Sequence, residues 1–107
     1  MKYGLPTDDG TTVGKVFGRA RSFGIYDDGD ASLRIVANTG ASAEHGAGTG
    51  SAAFLIEQGV GVVIAPEVGP KAEAALVSGG IRIEYTEEGM ALSEAIRSTT
   101  SAQKSTP

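Results

Sequence analysis

The feature that most constrains this chain is the run VGVVIA at residues 60–65, which carries no polar side chain and is β-branched at Val60, Val62, Val63 and Ile64. A strand that is apolar at successive positions has no wet face, so it must be covered on both sides, as strands of parallel α/β sheets are. The flanking segments supply the cover. Ahead of it, AAFLIEQG sets Ala52, Leu55, Ile56 and Gly59 at helical spacing, and Gly59 suits a helix end. Behind it, Pro70 stands where a helix begins, Ala72, Ala75 and Leu76 share a face, Gly79 and Gly80 close it, and IRIEYT resumes as strand.

The rest of the chain reads onto the same pattern. Residues 2–6 (KYGLP) form a first strand; residues 22–27 (SFGIYD) and 31–37 (ASLRIVA) pair as a hairpin across DDGD, where Gly29 is expected to supply the permissive backbone angles. A last helix, MALSEAIRS, carries Met90, Leu92, Ala95 and Ile96. Right-handed crossovers make strands three, four and five parallel, the first runs with them, and the second turns back. The predicted fold is therefore α/β: a three-layer, mixed five-stranded sheet in the order 3-2-1-4-5, with strand 2 antiparallel and three helices. Residues 1–97 are expected to form a single domain, and the Ser/Thr-rich residues 98–107 a flexible polar tail.

Composition narrows the function. Nine basic against thirteen acidic residues leave a formal charge of −4, which opposes a phosphate backbone, so nucleic acid is not an expected partner. With no cysteine, the chain has no disulfide, no zinc knuckle and no thiolate for an iron-sulfur cluster, so a metal would need His, carboxylate or backbone ligands. The start MKYGLPTDDG is too polar for a secretory leader, and VGVVIAP is far short of the roughly 20 residues of a membrane span, so a cytoplasmic protein without a membrane partner is expected.

The strand order fixes where chemistry collects. Residues 7–21, 38–47, 66–70 and 86–89 leave the carboxyl ends of parallel strands on one rim, beside the switch in strand order where α/β sheets bind ligands. Asp8, Arg19, His45 and Glu67 share that edge. EHGAGTG, residues 44–50, sets the only histidine against alternate glycines ahead of a helix, an anion cradle of backbone N–H groups or a loop that caps the helix. A neutral His45 there is available to a metal. Residues 10–26 carry Lys15, Arg19 and Arg21 without an acid, either a local positive field or a loop paired to nearby carboxylates. Asp8, Asp9 and Glu67 are candidates for Mg2+ or acid and base work, although Asp8-Asp9-Gly10 reads equally as a turn.

LPTDDG, VFGRARSFGIYD and NTGASAEHGAGTGSAAFLIEQGVGVVIAPEVGPKAEAALVSGGIRI together resemble the dinitrogenase iron-molybdenum cofactor biosynthesis family over nearly all of residues 2–96. The most specific stretches are Phe17-Gly18-Arg19-Ala20, His45-Gly46-Ala47-Gly48, and Val62-Val63-Ile64-Ala65 followed by Gly69-Pro70-Lys71-Ala72. The resemblance implies a ribonuclease H-like fold. It implies a non-catalytic carrier of an iron-sulfur or iron-molybdenum cluster or its precursor, with cluster donor and acceptor proteins as partners, in a monomer or weak dimer. The site it implies is Phe17, Gly18, Arg19, His45, Gly46 and Gly48, with His45 as metal ligand. The family often has a second histidine before Phe-Gly-Arg, where this chain has Val16. The alternative is a module that binds a small anion without metal.

Overall fold

The computed structural model describes residues 1–42 and 46–104, the side chains of residues 41, 42, 47 and 100–104 excepted. Strands β1 (Lys2–Thr7), β2 (Ser22–Asp27), β3 (Ser32–Ala37), β4 (Val62–Ala65) and β5 (Arg82–Tyr85) form one sheet in the order β3-β2-β1-β4-β5. β2 is antiparallel to both β1 and β3, whereas β1 with β4 and β4 with β5 run parallel. The predicted order and directions hold.

Helices α1 (Ala47–Glu57) and α2 (Pro70–Ser78) cover one face, and α3 (Leu92–Lys104) covers the other. β4 explains the apolar run: Val63 and Ala65 pack with Leu55, Ala72 and Leu76, while Val62 and Ile64 pack with Leu92, Ala95 and Ile96. All four β4 residues are essentially inaccessible, so neither face leaves room for a polar position. Truncating a side chain so enclosed, such as Leu76, costs about 2–5 kcal/mol. Among the described residues no helix is long and apolar enough to cross a membrane.

Three local expectations change. α1 begins at Ala47, ahead of the predicted Ala52, so Gly48 and Gly50 lie inside its first turns rather than before it. In the hairpin turn, the non-glycine residue with positive φ is Ala31, at 58°, while Gly29 donates its N–H to Asp27 Oδ1 at 2.9 Å. The Asp27 side chain thus shapes the turn, and Gly29 needs no special angle. α3 continues to Lys104, past the residue 98 at which its apolar spacing ends.

Candidate functional site

The segments predicted to share a rim do so through backbone hydrogen bonds. After β1, Asp9 folds the chain back by accepting from the N–H groups of Thr11 and Thr12, both at 2.8 Å, and from Thr12 Oγ1 at 2.7 Å. These donors hold its carboxyl well below the usual aspartate range. Asp8 accepts from the Arg21 N–H at 3.0 Å. Asp9 thus forms the turn that the sequence also allowed, while Asp8 ties the segment to Arg21. Further on, Val13 exchanges hydrogen bonds with Met90 and Gly89, and Val16 bridges to Glu67 in parallel fashion, with the Phe17 N–H donating to the Glu67 carbonyl at 3.3 Å.

The Phe17-Gly18-Arg19-Ala20 turn is anchored from below. The Phe17 ring is fully buried against Phe23, with centroids 5.2 Å apart, so it is a core residue that holds the turn and not a surface that meets a ligand. Ser51 Oγ on α1 donates to the Gly18 carbonyl at 3.0 Å. Asn38 Nδ2 donates to Ser51 Oγ at 2.9 Å and to the Ala20 carbonyl at 3.0 Å, and its Oδ1 accepts from the Gly40 N–H at 3.1 Å. Asn38 and Ser51 are buried and fully partnered. Sequence reasoning missed this pair, since neither residue lies in a recognisable motif.

With its neighbours turned inward, Arg19 is the exposed side chain of the turn. It overlooks a cleft of ≈ 460 Å³ whose other walls are Val16 and Gly18, Gly48 of α1, and Gly69 to Ala72 at the start of α2. The cleft thus lies between two helix N-termini. α1 is capped by Gly46, with φ 110°, and α2 by Gly69, and neither cap supplies a side-chain hydrogen bond. The first N–H groups of each helix lack intrahelical partners, and each N-terminus carries the equivalent of about half a positive charge. Lys71 adds a full charge beside Pro70, a contribution the sequence reading left out although it named Pro70 as a helix start on the rim. Among the described residues no carboxylate lies within 4 Å of the Lys15, Arg19, Arg21 or Lys71 side-chain nitrogens.

The predicted residues divide accordingly. Gly18, Arg19 and Gly48 line the cleft, Gly46 caps the helix that points at it, and Phe17 supports the turn. His45, the predicted metal ligand, lies outside the described residues. Among the described residues no three His, Cys, Asp or Glu side chains gather as a metal-holding group. Glu67 lines an adjoining trough of ≈ 390 Å³ with Val16, Val68, Gly69 and Tyr85.

With this geometry in place, comparison with known proteins is informative. The family model described as dinitrogenase iron-molybdenum cofactor matches residues 1–102. An uncharacterised protein of Methanocaldococcus jannaschii is 31% identical over 100 residues, covering 91% of this chain and 83% of that protein. The apo form of the orange protein from Desulfovibrio gigas superposes with a TM-score of 0.87 at 29% identity, over 95% of this chain and 88% of that one. The NMR structure of a candidate NifB protein from Thermotoga superposes with a TM-score of 0.79 at 30% identity, over 95% and 89% of the two chains.

Proposed function

The chain belongs to the dinitrogenase iron-molybdenum cofactor family, and from that premise we propose that it binds and carries an iron-sulfur or iron-molybdenum cluster, or a precursor, during metallocofactor assembly. The observation that carries the reading is the convergence on one cleft of Arg19, Lys71 and two helix N-termini whose glycine caps supply no side-chain hydrogen bond. Sulfide-rich clusters are anionic in their common states, and amide N–H groups and guanidinium donors offset such charge through hydrogen bonds to sulfur. The volume falls within the roughly 300–1,000 Å³ of small-molecule sites. The described donors are N–H groups and cations, so they hold the cargo by its outer atoms, and direct iron ligation is left to His45.

We read the protein as a carrier and not a catalyst, a reading supported by the family it belongs to; of its two neighbouring carboxylates, Asp9 shapes a turn and Asp8 holds the Arg21 N–H. Its partners are the proteins that deliver and receive the cargo, and its expected place is the cytoplasm. The second reading, a metal-free module for a small anion, is favoured by the same donor set, which needs no metal.

The test is anaerobic incubation of the purified protein with ferrous iron, sulfide and molybdate, followed by desalting, metal analysis and absorption spectroscopy. Stoichiometric metal and a visible chromophore, at least tenfold reduced in Arg19→Ala/Lys71→Ala, are expected. No retention, or retention indifferent to that double substitution, overturns the assignment. Calorimetry with molybdate and phosphate alone measures the metal-free alternative, and His45→Ala separates ligation from charge pairing.

A further inference from the structure

β5 is an open edge of the sheet, and its sequence Arg82-Ile83-Glu84-Tyr85 is complementary to itself. The Arg82 N–H donates to the Gly61 carbonyl and the Thr86 N–H to the Ala65 carbonyl, so the even-numbered residues face β4. Ile83 and Tyr85 therefore turn their N–H and C=O groups outward, where among the described residues no strand meets them. We propose that this edge pairs antiparallel with β5 of a second copy about a two-fold axis at Ile83, joining two sheets into one of ten strands.

The register follows from charge. Antiparallel pairing centred on Ile83 lets the two Ile83 residues exchange both N–H···O bonds. It also sets Arg82 of each copy directly opposite Glu84 of the other, in the close, non-hydrogen-bonded position where cross-strand pairs interact most strongly. Centring on Arg82 or on Glu84 instead places like charges face to face. Arg82 and Glu84 already lie on one face of the strand, 3.1 Å apart and about half exposed, so both are available to a partner.

Two further features fit this occupant. The edge carries neither Pro nor a bulge; its two charges and its short length are the devices that discourage indiscriminate pairing, and the self-complementary register turns those charges into a pair. Beside it runs a groove of ≈ 570 Å³ containing Ile81, Ile83 and the exposed Val77 and Tyr85, at 63% and 60%. The proposed register lays Tyr85 opposite Ile81 of the second copy and covers that apolar surface. β3, the other edge, has Arg34 as its single charge, so no two-fold register there pairs opposite charges. Because paired β5 strands run in opposite directions, the two clefts come to lie at opposite rims and both stay open.

One short edge buries less than a standard interface, so the association is weak and concentration-dependent. Sedimentation of the full chain from about 10 μM to about 1 mM, the range in which weak dimers populate, should show a monomer-dimer equilibrium. Arg82→Glu and Glu84→Arg should each weaken it at least tenfold. An equimolar mixture of the two variants, and the Arg82→Glu/Glu84→Arg double variant, should regain it, because each restores opposite charges across the axis. Circular dichroism and urea midpoints check that the variants stay folded. A wild-type monomer throughout that range overturns the proposal, and so does a dimer that ignores the single reversals or is not regained on mixing.

Discussion

Replacing Ser51 by Ala tests whether the Arg19 turn is held from beneath. The hydroxyl is fully buried, donates to the Gly18 carbonyl at 3.0 Å and accepts from Asn38 Nδ2 at 2.9 Å. Its removal orphans one carbonyl and one amide N–H in a site that already excludes water, at about 1–3 kcal/mol for each. Asn38 keeps its bond to the Ala20 carbonyl, and the new methyl gains a little apolar burial, so the net loss should be about 2–4 kcal/mol. With a urea slope of about 2 kcal/mol/M, the midpoint should fall by roughly 1–2 M and the slope should not change. Because Asn38 and Ser51 touch, Asn38→Ala and Ser51→Ala should also be non-additive by about 0.5–3 kcal/mol in a double-mutant cycle. A midpoint within experimental error of wild type, or strictly additive losses, would refute the idea that these two residues act as one buried clamp.

Gly40→Ala should abolish folding or cost at least about 3 kcal/mol, since a β-carbon there would run into the Gly50 backbone carbonyl, which cannot yield; Gly69→Ala, where a β-carbon meets nothing, should stay within about 1 kcal/mol by the same urea assay. Arg19→Ala and Lys71→Ala should each weaken molybdate binding by roughly 10- to 100-fold in a calorimetric titration, while leaving the unfolding free energy from urea within about 0.5 kcal/mol of wild type. Asp9, with its depressed pKa, contributes stability that is present above the ordinary value of 3.8 and fades as pH falls below it towards the lower folded value. Acid unfolding curves of wild type and Asp9→Asn should therefore differ near neutral pH and converge in strong acid, and a gap that is constant with pH would count against this account.

How far the sequence spoke for itself depended on the range of the forces involved. β4 was readable because burial on both faces erases the polar alternation from four successive residues, and the strand order then followed from crossover handedness. The start of α1 was hidden because each glycine costs about 1 kcal/mol in a helix interior, so AGTG reads as loop. Packing across 24 residues overrides that penalty: a β-carbon on Gly48 would press on Ala72 at 3.0 Å. The EHGAGTG glycines read as a cradle of N–H groups or a helix cap, yet Gly48, besides lining the cleft, makes room for α2, as Gly40 does for the Gly50 backbone. The Asn38–Ser51 clamp spans 13 residues and uses two ordinary polar side chains, which no local pattern distinguishes from surface residues. Lys71 carried a usable signal, as a cation in the first turn of a helix that leaves a parallel strand.

This packing has an electrostatic consequence. α1 and α2 each follow a parallel strand, so both begin on the same rim, and small residues at their contact let the two N-termini close on one cleft. Two half-charges with Arg19 and Lys71 contribute about three positive charges at that mouth, offset in part by Glu73 in the first turn of α2 and Glu67 in the adjoining trough, on a molecule whose formal charge is −4. An approaching anion is repelled at long range and attracted only near contact. The Debye length is about 10 Å at 0.1 M salt, so adding salt removes the distant repulsion before it weakens contacts inside the cleft. Raising ionic strength from low values should therefore speed association of an anionic guest in stopped flow while leaving its dissociation nearly constant, until high salt screens the contacts themselves. Association that slows from the first addition of salt would mean that the acidic remainder of the surface does not govern the approach, and that the cleft's field reaches well into solvent.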